Sequence, residues 1–252
     1  MCESRSDGEP TNIPVRNNFD PDGVELKTSA IIVAAGSGVR LGSSVPKAFV
    51  KIGGRTMLSY SLRAVAQVTS IGEVVIAVPA GFESAARAET AAAGLAVPVK
   101  ITPGGNERQD SVRIALELTS SESALVIVHD AARPLATPDI FEACIAAAVR
   151  AGGAIAAIPV SDSLKRVADG AIVATVARAE LWQAQTPQAF RRDALVAAHR
   201  RAVSEGIAAT DDADLVERTG VRVEVVEAST ANLKITTPSD LAIVEAIIAA
   251  RK

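Results

Sequence analysis

Two residue types that carry much of enzyme chemistry are nearly missing from this chain, whose 252 residues include only two histidines and two cysteines. Cys2 stands in a polar tail and Cys144 in an apolar helical pattern, and neither has a ligand-spaced partner. That excludes a disulfide framework and a Cys/His metal site, and a reducing cytoplasm fits. His129 has no partner His or Cys and reads as structural, and no Ser–His or His–carboxylate set stands out. Aromatic residues make up 3% of the chain, so its core must be mostly aliphatic. Neither sign of charge dominates: the net charge is −3. This argues against a general nucleic-acid binder and still permits a local basic pocket for a phosphorylated small molecule. No apolar run approaches the length of a membrane span. The opening MCESRSDGEPTNIPVRNNFDPDG lacks the apolar region of a secretory signal. Its Pro, Gly, Asn and Asp content reads as a disordered extension over residues 1–27.

What the chain does have is an apolar content of 48%, enough for a sizeable core, and a regular alternation of strand and helix patterns. Strands are expected at Ser29–Ala35, Glu73–Val78, Val99–Thr102, Leu125–His129 and Ala154–Val160. Helices are expected at Met57–Val68, Gly81–Ala93, Asp110–Leu118 and Pro138–Arg150. This rhythm predicts an α/β fold, a Rossmann-like, mainly parallel sheet flanked by helices, over residues 28–252. It breaks after Pro159. SDSLKRVADGAIVATVARAELWQAQTPQAF is too polar for another such unit and reads as a projecting β arm, set at 161–183, with Asp169–Gly170 as its hairpin turn. Helices resume at Arg192–Ser204 and Asp212–Thr219, and Val221–Val226 is a strand. Thr237 as N-cap, Pro238 at the first helical position and Asp240 in the first turn then start a last helix.

In an open parallel sheet, ligands bind beyond the carboxyl ends of the strands. Four polar clusters fall at such ends: AAGSGVRLGSSVPK, PGGNERQDS, HDAARP and NLKIT. In the first, Ala34, Ala35, Gly36 and Gly38 are small enough for the backbone to approach a ligand, and its N–H groups to line a phosphate-binding concavity. Arg40 and Lys47 add the charge a polyphosphate needs. Alone, the stretch reads as readily as a tight turn with two solvated cations. PGGNERQDS brings a second glycine bend with Ser111 near a helix start, where a plain connection with an N-cap is the ordinary alternative. Asp130 ends an apolar strand, where a Mg²⁺-holding carboxylate sits in nucleotide sites, or where an acid caps a turn or pairs Arg133. Lys234 offers a third cation, or an ordinary edge-strand lysine. Their common placement at one sheet edge carries more weight than any one of them.

Together with DSLKR, LWQAQTPQAF and TDDADLVE, these stretches come in the order and spacing of the 2-C-methyl-D-erythritol 4-phosphate cytidylyltransferases, which the chain resembles over roughly residues 29–250. The resemblance implies a nucleotidyltransferase fold and a reaction that joins CTP to a methylerythritol phosphate and releases pyrophosphate, in non-mevalonate isoprenoid synthesis. It implies nucleotide contacts at Ala34, Ala35, Gly36, Gly38, Gly105, Asn106, Ser111 and Ala131, and catalytic cations at Arg40, Lys47 and Lys234. Asp130 would serve Mg²⁺ and the acceptor, with further acceptor contacts at Arg133, Ser163, Arg178, Thr186, Thr210 and Asp211. It also implies a homodimer through the arm, so that Ser163 and Arg178 serve the neighbouring subunit's site. Two positions depart from the family pattern: Asn106 stands where Asp is expected and Ser163 where Thr is expected, both keeping hydrogen-bonding groups.

Elementary chemistry agrees with the implied reaction. A phosphate monoester is already anionic and nucleophilic near neutral pH, so it needs no general base. It needs cations around the phosphate it attacks. The nearest alternative is a cytidylyltransferase for another polyol phosphate such as ribitol 5-phosphate, which would share the nucleotide half; the arm and TPQAF lean toward methylerythritol phosphate. A dinucleotide-binding oxidoreductase is disfavoured by the missing third glycine and by cations rather than an acid after the loop. A catalytically dead nucleotide-binding regulator is disfavoured by the presence of every candidate cation.

Overall fold

The computed structural model describes residues 26–38, 41–43 and 45–251. In chain order, β1 (Thr28–Val33) leads through a 3-10 turn at Lys47–Phe49 to the short pair β2 (Lys51–Ile52) and β3 (Arg55–Thr56). Then follow α1 (Met57–Val65), β4 (Ile71–Val78), α2 (Glu83–Ala93), β5 (Val99–Pro103), α3 (Arg108–Glu117), β6 (Leu125–Asp130), α4 (Pro138–Ala151) and β7 (Gly152–Pro159). The hairpin β8 (Leu164–Ala168) and β9 (Ala171–Val176) precedes β10 (Trp182–Arg191), α5 (Arg192–Glu205), α6 (Asp212–Glu217), β11 (Arg222–Glu227) and α7 (Pro238–Ala250).

Seven strands form one sheet in the order β11-β7-β10-β6-β1-β4-β5. β1 pairs in parallel with β4 and β6, β4 with β5, and β11 with β7, while β10 runs antiparallel to both its neighbours. The period-2 projection of side chains explains the two-sided apolar runs. Ala30 and Ile32 of β1, Val74 and Ile76 of β4, and Leu125 and Ile127 of β6 enter one core, with Leu58, Phe141 and Ile145. Ile31, Val75, Val126 and Val128 point the other way, into a core with Val112, Leu195 and Val216. A third apolar cluster joins Leu41, Ile52, Met57, Leu135, Ile235, Val244 and Ile248. The chain passes from β1 to β4 and β5 on one side and returns to β6 on the other, so a topological switch point lies between β1 and β6.

The expected strands and helices are all present, with ends within three residues of those expected. The last helix starts as its sequence specifies: the Thr237 side chain accepts from Asp240 N–H, and Asp240 completes a capping box with Pro238 inside it. The expected hairpin turn lies at Asp169 and Gly170, both with positive φ, as a two-residue turn requires.

Two expectations need correction. The end of the stretch read as arm is not arm. β10 lies inside the main sheet between β6 and β7, and Gln185–Phe190 is buried. Its register shifts between Ala184 and Gln188, which spoils the alternation a sequence reader looks for. Residues 26 and 27, expected in the extension, belong to the fold. Leu26 packs against the first core, and the Lys27 carbonyl accepts from Ala124 and Leu125. Residues 1–25, Cys2 among them, lie outside the described residues. Cys144 is fully buried, and burial pushes its thiol pKa up, consistent with an inert core residue. Among the described residues, no helix is long and apolar enough to cross a membrane.

Candidate active site

The carboxyl ends of β1, β5 and β6 meet at the switch point around a cavity of about 460 Å³. Ala34, Ala35, Gly36 and Gly38 line it from the loop after β1, Gly105, Asn106 and Ser111 from the bend before α3, and Asp130 and Ala131 from the end of β6. Lys47 and Lys234 complete the wall. Eleven of the site residues expected from sequence therefore converge on one cavity. Arg40 lies outside the described residues.

Local geometry explains the glycines. Gly38 has φ +71, and a Cβ there would sit 2.8 Å from the Lys47 Cβ. Only glycine lets the loop pass this close to the lysine. A Cβ on Gly105 would collide with Asp110 in the first turn of α3. Ser111 holds that bend from inside. Its Oγ accepts from Gly105 N–H at 3.1 Å and donates to the Glu107 carbonyl at 3.1 Å.

Asp130 is 5% exposed and is gripped from two sides. Lys234 Nζ donates to Oδ2 at 2.6 Å and Arg108 Nε to Oδ1 at 2.8 Å. Burial alone would raise the carboxyl pKa, but Arg108 and Lys234 outweigh it and hold the pKa far below the ordinary carboxylate range. Asp130 is thus an anion throughout the physiological range. Sequence reasoning offered Arg133 as its partner and missed Arg108. Arg108 also lines the cavity, and its Nη1 donates to Asp212 at 2.8 Å. Its Nη2 is buried without a hydrogen-bond partner. Asp212 in turn meets His199 Nε2 at 3.0 Å. A buried His–carboxylate pair does exist, then, contrary to the sequence reading. Neither member lines the cavity, and the pair buttresses Arg108 from behind. The only sequence signal for Arg108 was its place in GGNERQ; both acids it binds are about 20 and about 100 residues away.

Among the described residues, the other expected ones do not line this cavity. Arg133 Nη1 donates to the Asn232 carbonyl at 2.8 Å, tying the end of β6 to the segment before Lys234, and does not line the cavity. Thr186 is buried on β10, where its Oγ1 accepts from Asp130 N–H at 3.0 Å. Asp211 caps α6, accepting from Asp214 N–H at 3.0 Å and from the Gln188 amide at 3.0 Å. Thr210, Ser163 and Arg178 are exposed and do not line the cavity. Ser163 precedes β8 and Arg178 follows β9, one at each foot of the hairpin.

His129 is structural, as its isolation implied. Its Nε2 lies 3.2 Å from the Arg133 carbonyl and its Nδ1 3.1 Å from Thr186 Oγ1. The network assigns the Nε2–H tautomer, with Nδ1 accepting from the hydroxyl. Burial lowers its pKa to about 4, so it is neutral near pH 7.

Among the described residues no group of three or more His, Cys, Asp or Glu is placed to hold a metal. Mg²⁺ in nucleotide sites needs only one or two carboxylates, the substrate phosphates and water supplying the rest. Asp130 fits that modest requirement and does not by itself form a cage.

The family model for 2-C-methyl-D-erythritol 4-phosphate cytidylyltransferase matches residues 28–250. The chain is similar to the enzyme of that name from Deinococcus radiodurans, 45% identical over 221 residues, covering 88% of this chain and 89% of the relative. A relative of the same name from Pelotomaculum thermopropionicum is 41% identical over 228 residues, covering 90% and 96%. The crystal structure of a 2-C-methyl-D-erythritol 4-phosphate cytidylyltransferase from Thermus thermophilus superposes with a TM-score of 0.75 at 35% identity, covering 89% of this chain and all of that one. A 4-diphosphocytidyl-2C-methyl-D-erythritol synthase from Anaerococcus prevotii gives a TM-score of 0.79 at 28% identity.

Proposed function

The chain belongs to the 2-C-methyl-D-erythritol 4-phosphate cytidylyltransferase family, and we propose that it transfers a cytidylyl group from CTP to that acceptor in the cavity at the β1–β6 switch point. It is a CTP-dependent nucleotidyltransferase of isoprenoid precursor synthesis. The observation that carries the placement is the convergence of Lys47, Lys234, Arg108 and Asp130 beside a glycine-rich backbone at one sheet edge.

The backbone of Ala34–Gly38 approaches the triphosphate, and Gly105, Asn106, Ser111 and Ala131 flank the nucleoside. An oxygen of the acceptor's phosphate attacks the α-phosphorus; a new P–O bond forms, the bond to the β-phosphate oxygen breaks, and pyrophosphate leaves. Lys47, Lys234 and Arg40 neutralise the charge that gathers on the α-phosphate. Arg108 keeps Asp130 ionised and in place. Enzymes of this family depend on a divalent cation, here read as Mg²⁺ held by Asp130 and the phosphates, which when bound supplies charge neutralisation and orientation of the triphosphate. No protein group needs to take a proton from the acceptor, and His129, neutral and fully hydrogen-bonded, is not one that does.

Ser163 and Arg178 lie outside the cavity of their own chain and are read here as serving the acceptor site of another subunit. Val167, Ile172 and Val173 on it are 56%, 65% and 57% exposed, more than a lone hairpin sustains in water. A homodimer in which each hairpin completes the other's site, working in the cytoplasm, accounts for both facts. Pyrophosphate release with CTP, UTP, ATP and GTP against methylerythritol and ribitol phosphates tests the reading. Activity confined to CTP with methylerythritol 4-phosphate is expected; preference for ribitol 5-phosphate overturns it.

A further inference from the structure

A second cavity, of about 640 Å³, is bounded by Pro134–Pro138, the stretch that follows Arg133, and by the β2–β3 turn, α1 and the end of α7. Its charge is one-sided. Arg55, Arg63 and Arg251 line it, and among the described residues no carboxylate does. None of the three forms an ion pair among the described residues. Arg63 is half-buried. Its Nη2 donates to the Ala92 carbonyl at 3.0 Å, but its Nε is buried without a partner. Three guanidinium groups beside one cavity, with no carboxylate among the described lining residues, give it a positive charge that an anion would balance. Phosphate, like carboxylate, matches guanidinium forks with paired N–H bonds, and its second charge suits a cavity lined by three of them. Leu135, Ile248 and the ring of Tyr60, whose hydroxyl is already engaged with the Ile52 carbonyl at 2.9 Å, give the wall an apolar part, next to the polar Gln67 and Thr137.

Leu135 and Ile248 also belong to the third apolar cluster, which holds Leu41 and Ile235. Leu41 N–H donates to the Gly38 carbonyl at 2.8 Å, at the end of the phosphate loop, and Ile235 adjoins Lys234. One small core therefore backs both the second cavity and two walls of the nucleotide cavity. We propose that the second cavity binds a small molecule bearing a phosphate on a short aliphatic body, and that its occupancy is felt at the nucleotide site through this shared cluster. The volume lies within the range of small-molecule sites.

Hexyl phosphate is the probe, titrated calorimetrically into the full chain saturated with CTP and free of acceptor, with inorganic phosphate and 1-hexanol as separate arms. One site per chain is expected, at least tenfold tighter for hexyl phosphate than for either arm. The exposed-residue double variant Arg55→Gln/Arg251→Gln, with an unchanged melting temperature, should weaken it tenfold or more, while Lys47→Ala leaves it intact. By reciprocity, saturating hexyl phosphate should change the Kd of CTP at least twofold in the wild type and not in the double variant. No uptake, equal uptake by the double variant, loss of uptake in Lys47→Ala, or a CTP Kd indifferent to hexyl phosphate overturns the proposal. Equal affinity for inorganic phosphate overturns its aliphatic part. These readouts are binding measurements and stand apart from turnover.

Discussion

Asp130 is an acid with each oxygen held by a cation, and that arrangement sets what its neighbours are for. Removing Arg108 would leave Asp130 and Asp212 buried with one counter-charge fewer. Breaking a buried pair in this way typically costs about 3–5 kcal/mol. Arg108→Ala should lose stability of that order in urea unfolding, and Arg108→Lys should recover only part, since a lysine cannot fork between two acids. Lys47→Ala and Arg40→Ala should instead lower kcat by about 10²–10³, or about 2.7–4 kcal/mol, with much smaller changes in KM for CTP; near-normal kcat in steady-state assays would remove them from the chemistry. His129 gives a pH signature. Its folded pKa of about 4 lies below the ordinary value of about 6.5. Its contribution to stability is full above the unfolded value and is lost as pH falls toward the folded one, because the unfolded chain takes a proton that the folded chain refuses. Between pH 7 and 4.5, urea unfolding of the wild type should lose about 2–3 kcal/mol more than that of His129→Gln. Of this residue-level detail, the sequence announced much of the cavity's lining, since Ala34–Gly38 and Asp130 sit where strand patterns end, whereas Lys234 lies in the loop between β11 and α7. It did not announce Arg108, because its role is created by the packing of α3 against residues far along the chain.

At the level of elements, the strands with continuous apolar runs were legible because both of their faces are buried. β10 was not, since Gln183, Gln185 and Gln188 with Pro187 resemble a loop until their partners are known. The Gln188 amide nitrogen donates to the Asp211 carboxylate at 3.0 Å and to the Gln185 carbonyl at 3.2 Å. The hairpin was legible from its turn and from polarity that no buried strand would carry. Its proposed role makes a sharp prediction. Lys47→Ala and Arg178→Ala chains should each be weak alone, because every site in either homodimer carries one lesion. In a heterodimer one site carries both lesions and the other none, so mixing should restore activity. Heterodimers seen by sedimentation without recovered activity would mean that Arg178 acts within its own subunit.

For the molecule as a whole, residues 26–251 carry all three apolar clusters and the cavity. A chain beginning at Leu26 should therefore match the full chain in melting temperature and turnover; a marked loss in either would give the first 25 residues a part in fold or function. The hairpin also has a consequence for measurement. If half of each acceptor site arrives on another copy, substrate competence is a property of pairs, and the number of working sites follows the law of mass action. Specific activity should then fall as the protein is diluted through its dimer dissociation constant and return on reconcentration, so that a single-chain fusion of two copies would hold its activity at dilutions where the free chain has lost it.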